Sequence, residues 1–413
     1  MGVMGRDLPL YSRYTYRLHL RAVALDGAML GIFSLIDVIL RKALGASKIE
    51  IALYVMLGPV AALASSAFAN LMAGRPRRPL FLGAAIVGRL ALGAGALVAS
   101  PAGVLALVAL HALASAAVIP LLNTIYQANY PAKVRGRVVG LAMAVQTAAE
   151  IGAALTAGAL LEWDARAYRV LLPVAGVLGF FAMLTYGRIR LRGERRRFRR
   201  AGLAAAAPTF GLVRSFREAF ALLRAEPGFR RFETAFVTYG LGFFVMMAVI
   251  PIYLVDVLRA TYVEAAVAKS LCFGVARILC LPLSGRYVDR VGPVKAGVAI
   301  FAFLALFPAT LALSRSMWPA YAAFAVFGAG MAGVSIIWSL GSIHFAGDRD
   351  SSIYQGVHVT LIGVRGTFGP LIGYLAMTFA GPRLAMAIAC AALLGAAGLL
   401  AAQPGRRRSS SFL

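Results

Sequence analysis

Apolar residues in this chain run in long blocks, and polar residues gather in short clusters between them. A helix needs about 20 mostly apolar residues to cross a bilayer. Twelve blocks meet or approach that length: 18–40, 49–72, 79–98, 103–122, the stretch from the loop at 130–137 to 161, 170–186, 232–255, 263–283, 294–313, 319–345, 353–379 and 384–401. The pattern predicts an all-α integral membrane protein with twelve transmembrane helices. The polar clusters after the second, fourth, sixth and eighth blocks are basic: Arg75-Pro76-Arg77-Arg78, the loop 130–137, the run 188–200 and the loop 284–295. Short loops rich in Lys and Arg stay on the cytoplasmic side. Twelve spans then place both termini in the cytoplasm, including the basic tail Arg406-Arg407-Arg408, in a multi-pass protein of the cell membrane. One turn runs against the rule, because Arg41, Lys42 and Lys48 fall on the opposite side.

Residues 209–226 read differently. Phe210, Val213, Phe216, Phe220 and Leu223 fall near one face, with Arg214, Arg217 and Arg224 on the other. Such a helix lies in the membrane interface. The expected organisation is therefore residues 1–187 as a first six-helix bundle, 188–228 as a cytoplasmic linker with this amphipathic helix, and 229–413 as a second bundle with the tail.

Composition agrees. Of 413 residues 61% are hydrophobic, and the mean hydropathy is +0.80. A soluble domain is closer to half apolar. The net charge of +26 sits in loops, so it marks sidedness rather than a nucleic-acid partner. Cys272, Cys280 and Cys390 all lie inside apolar blocks and read as buried thiols. Gly328-Ala329-Gly330-Met331-Ala332-Gly333 fits a dinucleotide pattern, but it lies within a span with no strand before it. Small residues there serve close helix approach. No P-loop, zinc-ligand cluster, nucleophile elbow or enzyme-sized soluble domain appears, so neither a cofactor, a metal nor catalysis is expected.

The chain repeats itself. Gly45 to Ala52 aligns without gaps on Arg259 to Ala266, and Asn70 to Arg75 then falls near Gly285 to Arg290. In the second copy Gly285, Asp289, Arg290 and Gly292 form G-x-x-x-D-R-x-G within SGRYVDRVGPVK, read as one tight polar turn between two spans. This pattern resembles the signature loop of the major facilitator superfamily of secondary transporters, and with the repeat the resemblance covers almost the whole chain. It implies two pseudo-symmetric six-helix bundles around a central site, alternating access by rocking of the halves, and Asp289 as part of a conformational gate meeting the start of the fifth span. Two departures weaken a drug–proton antiporter assignment. The fourth span carries His111 where many antiporters have arginine, and the Gly-Pro motif of the fifth span is missing. A similar run, with Gly366, Gly369, Pro370 and Gly373, lies in the eleventh span and reads as helix packing.

Charges at membrane depth mark function. Asp26 and Asp37 are eleven residues apart, close to three turns, so they share a face of the first span. The resemblance places that face on the cavity. Asp37 has a second reading, an i+4 pair with Arg41. Glu150, with Gln146 one turn earlier, lies at a depth similar to Lys269 and Arg365. The resemblance makes a Glu150–Lys269 pair across the halves the natural one, with a purely structural pair as its rival. Arg89 reads as a structural partner on an outer helix, and Arg277 as a cation near a helix end. His111, His344 and His358 read as packing residues before they read as titrating groups.

The reading is a secondary active transporter of an unidentified small molecule, coupled to protons or another ion and oriented for export by family analogy alone. Asp26 is the leading proton carrier. The expected partners are the solute, the coupling ion and the bilayer, with the chain a monomer. The alternatives are an uncoupled facilitator or importer of the same fold, and a non-transporting sensor or scaffold.

Overall fold

The computed structural model describes residues 9–64, 68, 77–191, 212–346 and 351–402. The first copy of the signature at 70–75, most of the basic run 188–200, the start of the amphipathic segment and the basic tail lie outside the described residues.

All regular structure among the described residues is helical. The first half of the chain holds α1 (Leu10–Phe33), α2 (Ile36–Lys42), α3 (Lys48–Leu63), α4 (Arg77–Ala84), α5 (Pro101–Ala116), α6 (Val118–Asn129), α7 (Ala132–Trp163) and α8 (Tyr168–Gly187). Then come α9 (Leu212–Ala225), α10 (Pro227–Ile252), α11 (Tyr262–Ala266), α12 (Phe273–Val291), α13 (Pro293–Leu304), α14 (Leu306–Leu313), α15 (Met317–Ala346) and α16 (Ser351–Ala401). Nine helices among the described residues are long and apolar enough to cross a membrane. One of them, Tyr354–Ala401, is 48 residues long and turns at Gly381, whose φ is 83°. Pro101–Ala116 is a shorter apolar helix, and α3 runs up to residues outside the described set. The pattern is consistent with twelve spans.

Several helices depart from the simple blocks. The first span begins at Leu10, so the polar stretch before residue 18 is helical, and it breaks at Ser34-Leu35 between α1 and α2. The third continues from α4 through a π turn, Ala85–Arg89, and a 3-10 stretch, Leu90–Ala96. Two further π turns follow, Tyr253–Val257 after α10 and Val267–Cys272 before α12. The signature is a correction. Gly285, Asp289 and Arg290 are not in a turn, because α12 stays helical to Val291. Only Gly292, at φ 81°, reverses the chain, and Pro293 restarts the helix at its first position, where a missing N–H costs nothing.

The repeat is visible in the backbone. Gly45 and Arg259, equivalent in the two copies, both have positive φ, 66° and 52°. Around them the same two bonds close the helix end: Leu44 N–H to Ile39 O and Ala46 N–H to Leu40 O in one, Leu258 N–H to Tyr253 O and Ala260 N–H to Leu254 O in the other. Each turn then enters a helix through a capping box, Ser47 with Glu50 and Thr261 with Glu264, the reciprocal arrangement that satisfies two orphan N–H groups. Helix partners repeat as well. α1 packs on α7 and α8, and α10 packs on α16.

The end of the molecule with the start of α1 at Leu10, Arg188, Arg290 and Lys295 is called the basic end, and the other the far end. Core residues of both halves merge into one cluster that includes Leu35 to Leu40, Ala157 and Leu161 with Tyr253, Leu254 and Tyr262. Toward the basic end the first half keeps a cluster of its own, with Leu18, Ala22, Phe81 and Ala182.

Candidate functional site

A cavity of about 680 Å³ has walls from both halves. Asp26, Phe33, Asp37, Tyr54, Arg89 and His111 line it from the first half, and Phe243, Phe244, Met247 and Lys269 from the second. Its lining continues along α5 and α6 from Val108 to Leu122, toward the basic end.

Asp26 is placed by close backbone approach. A Cβ on Gly27 would lie 2.2 Å from the Gln146 carbonyl oxygen, and one on Gly31 would lie 2.3 Å from that of Glu150. With α1 and α7 this close, Gln146 Nε2 donates to Asp26 Oδ2 at 3.0 Å. Asp26 Oδ1 is 3.5 Å from Arg89 Nη2, at the outer limit of a hydrogen bond. The guanidinium is held more tightly on its other side. Nη1 lies 2.9 Å from His111 Nε2 and 2.8 Å from Met29 Sδ. His111 Nδ1 is 3.1 Å from the Gly88 carbonyl, which can only accept. Nδ1 therefore carries the hydrogen and Nε2 accepts from Arg89, so the imidazole is neutral. Gly88 lets α5 come close, since a Cβ there would meet Ala114 Cβ at 2.3 Å.

The second charge pair joins the halves. Lys269 Nζ donates to Asp37 Oδ1 and, at 2.6 Å, to the Ser34 carbonyl. The break at Ser34-Leu35 exposes that carbonyl and puts Asp37 in the first turn of α2, where a carboxylate is favoured. Lys269 sits in the π turn Val267–Cys272. Arg89 and Asp256 occupy the other two π turns, and each makes an ion pair, Arg89 with Asp26 and Asp256 with Arg41. π turns recur at functional positions.

Two expected pairings are corrected. Lys269 reaches Asp37, not Glu150, and the opposing charge acting on Glu150 is Arg277. Arg41 pairs with Asp256 rather than Asp37, through Nη2 to Oδ2 at 2.5 Å and Nε to Oδ1 at 2.9 Å. The helix break and the π turn change the azimuth of Asp37 and Lys269, which spacing on an ideal helix does not anticipate. Arg365 does not line the cavity. It is buried against α10, donates to the Phe236 carbonyl and lies over the Phe236 and Tyr239 rings. Glu150 is not a lining residue either, and Gln146 acts on the cavity through Asp26. Asp289 and Arg290 are exposed at the basic end. A Cβ on Gly366 would lie 2.2 Å from Pro59 Cβ, and Gly369 and Gly373 sit against Phe244 and Val245 of α10. Pro370 lies within α16.

The far end explains the misplaced cations. Arg41 holds Asp256, Lys42 donates to the Ala260 carbonyl at 2.8 Å, and Lys48 to the Met377 carbonyl at 3.2 Å. In return Glu162 accepts from the Tyr262 N–H at 2.7 Å. Each bond crosses from one half to the other. Arg89 and His111, which read as structural in the sequence, line the cavity; an arginine at the middle of the apolar block 79–98 was the available signal.

The sequence profile of the Major Facilitator Superfamily matches residues 22–370. Among solved structures, the chain is similar to the nucleoside transporter NupG, with TM-score 0.70, 13% identity, and coverage of 94% of this chain and 98% of that one. It is similar to a POT family transporter in complex with 5-aminolevulinic acid, with TM-score 0.72, 11% identity, and coverage of 94% and 95%. A bacterial homolog of the human lysosomal transporter Spinster, inward-facing and unoccupied, gives TM-score 0.63, 16% identity, and coverage of 95% and 94%. No curated protein sequence matches the chain.

Proposed function

The chain belongs to the Major Facilitator Superfamily, and from that premise we propose that it is a proton-coupled secondary transporter of a small organic solute. Residues 1–187 and 229–413 form the two rocking bundles, and 188–228 link them on the cytoplasmic side of the cell membrane. The observation that carries the reading is the cavity shared by both halves, with Asp26 and the Asp37–Lys269 pair in its wall. With the basic end in the cytoplasm, the cross-half bonds at the far end make this an inward-open arrangement. Asp26 is the proton carrier. Its cation stands at the limit of hydrogen-bond distance and is anchored by His111 and Met29 instead. The carboxylate can therefore gain or lose a proton without releasing Arg89. His111 is a poorer carrier, since its acceptor nitrogen already faces a guanidinium.

The test is reconstitution in liposomes with a solute library, with and without a pH gradient. A solute should accumulate only with the gradient, and Asp26→Asn should keep exchange while losing accumulation. Gradient-driven accumulation surviving in Asp26→Asn would remove Asp26 from the role. Transport indifferent to the gradient would leave an uncoupled facilitator.

A further inference from the structure

A second, smaller cavity of about 90 Å³ adjoins the first at Asp37, Lys269 and Met247. Its remaining walls are Ile250, Phe273, Phe324 and Phe327, with no polar group among them. The mouth of an apolar side pocket is thus formed by one carboxylate and one ammonium, from opposite halves of the chain. We propose that this is the solute's anchoring subsite, and that it takes a zwitterion of the α-amino-acid type with a branched aliphatic or phenyl-sized side chain. The inference rests on the transporter reading above and names the solute class for that same cavity.

Charge balance carries the first part. Asp37 and Lys269 neutralise each other now. A solute anion that took Lys269 alone would leave Asp37 buried without its cation, and a solute cation on Asp37 would strand Lys269. Uncompensated buried charge is strongly unfavourable. A molecule carrying both charges on neighbouring atoms replaces the pair with nothing left over: its carboxylate on Lys269, its ammonium on Asp37. Two hydroxyls stand beside them. Ser34 Oγ donates to the Gly31 carbonyl at 2.7 Å, so in its 3.1 Å contact with Ser270 Oγ it must accept. Ser270 is then the donor of that contact, which ties the π turn to the end of α1 beside the pair.

Size carries the second part. A dry apolar cavity of about 150 Å³ accepts benzene. The 90 Å³ here, opening into a larger space, suits an isobutyl or phenyl group whose first carbon stays at the mouth. Aromatic walls favour such a group by contact area and ring edge-to-face geometry. The same pocket gives glycine nothing to bury.

The experiment is competition binding and thermal stabilisation on the purified full chain in nanodiscs. The probes are glycine, alanine, leucine, phenylalanine and tryptophan, with phenethylamine and 3-phenylpropanoate as single-charge analogues of phenylalanine. Affinity should rise from glycine to leucine and phenylalanine, and fall by tenfold or more on removing either charge. The double variant Asp37→Asn with Lys269→Gln, which strands neither charge, should lose leucine binding while keeping the unfolding temperature of the unliganded chain; if it unfolds, the ligand series alone decides. Equal binding of a single-charge analogue, or no dependence on side-chain size, overturns the proposal. If no amino acid binds while another solute is transported in liposomes, the subsite assignment fails and the transporter reading stands. If no solute moves at all yet leucine binds as described, the reverse holds.

Discussion

Nineteen residues before Gly45 stands Asp26, and nineteen residues before Arg259 stands Gly240. The two positions are equivalent in the repeat, yet the halves use them in opposite ways. In the first half the position carries a carboxylate on the cavity, with a cation from the third block and an amide from α7 beside it. In the second half there is no side chain, and Arg365 from α16 fills the space. A Cβ on Gly240 would lie 2.0 Å from Arg365 Cδ. The acid of α10 sits two turns earlier as Glu233, sealed at 1% exposure with His358 Nδ1 at 2.8 Å from its Oε1. One fold thus places charges of similar depth either against a cavity or between helices. The lesson is that membrane depth alone does not distinguish a working charge from a cementing one; access to the cavity does.

The largest effect that tests this contrast is on coupling. Asp26→Asn should reduce proton-driven accumulation to background, whereas Glu233→Gln should leave its pH dependence where it was. A shifted pH profile in Glu233→Gln would erase the distinction between the halves. Next comes stability. His358→Leu strips Glu233 of its partner in a buried site, a loss of about 3–5 kcal/mol for a broken buried pair. Thermal unfolding in detergent should show it as a large drop, and an unchanged midpoint would mean that Glu233 is solvated. Gly240→Ala should cost about 1–3 kcal/mol through overpacking against Arg365, read in the same unfolding experiment; Gly240→Ala together with Arg365→Met should recover most of it. The smallest effect belongs to the far end. Arg41 and Asp256 are partly exposed, so Arg41→Ala should shift the balance between the two access states by about 0.2–1 kcal/mol. Spin-label distances across the far end should lengthen in a larger share of molecules.

The fold was legible in the sequence because a bilayer imposes a length on every helix and a charge on one side of its loops. The repeat was legible too, since the turn at Gly45 and its partner at Arg259 keep the same caps. Asp26, Asp37 and Lys269 could be found as charges in apolar blocks. Their partners could not. The break at Ser34-Leu35 and the π turn at Val267–Cys272 rotate side chains away from the ideal helical register. Depth counted along a helix predicts Glu150 and Arg365 as cavity residues, but azimuth depends on which neighbour packs there. Arg89 and His111 escape the sequence pattern for the same reason. The cations Arg41, Lys42 and Lys48 looked misplaced only because their acceptors lie more than 200 residues away.

Alternating access is the claim beneath all of this, and it can be tested without knowing the solute. Ser34 lines the cavity beside the Asp37–Lys269 pair. With Cys272, Cys280 and Cys390 replaced, Ser34→Cys in liposomes can be challenged with an impermeant thiol reagent from each face in turn. Labelling should occur from both faces, and cross-linking residues 41 and 256 through introduced cysteines, before the Ser34→Cys thiol is probed, should abolish far-end labelling alone. Labelling from one face only, in the presence and absence of that cross-link and across pH, would contradict the rocking of two halves around this cavity.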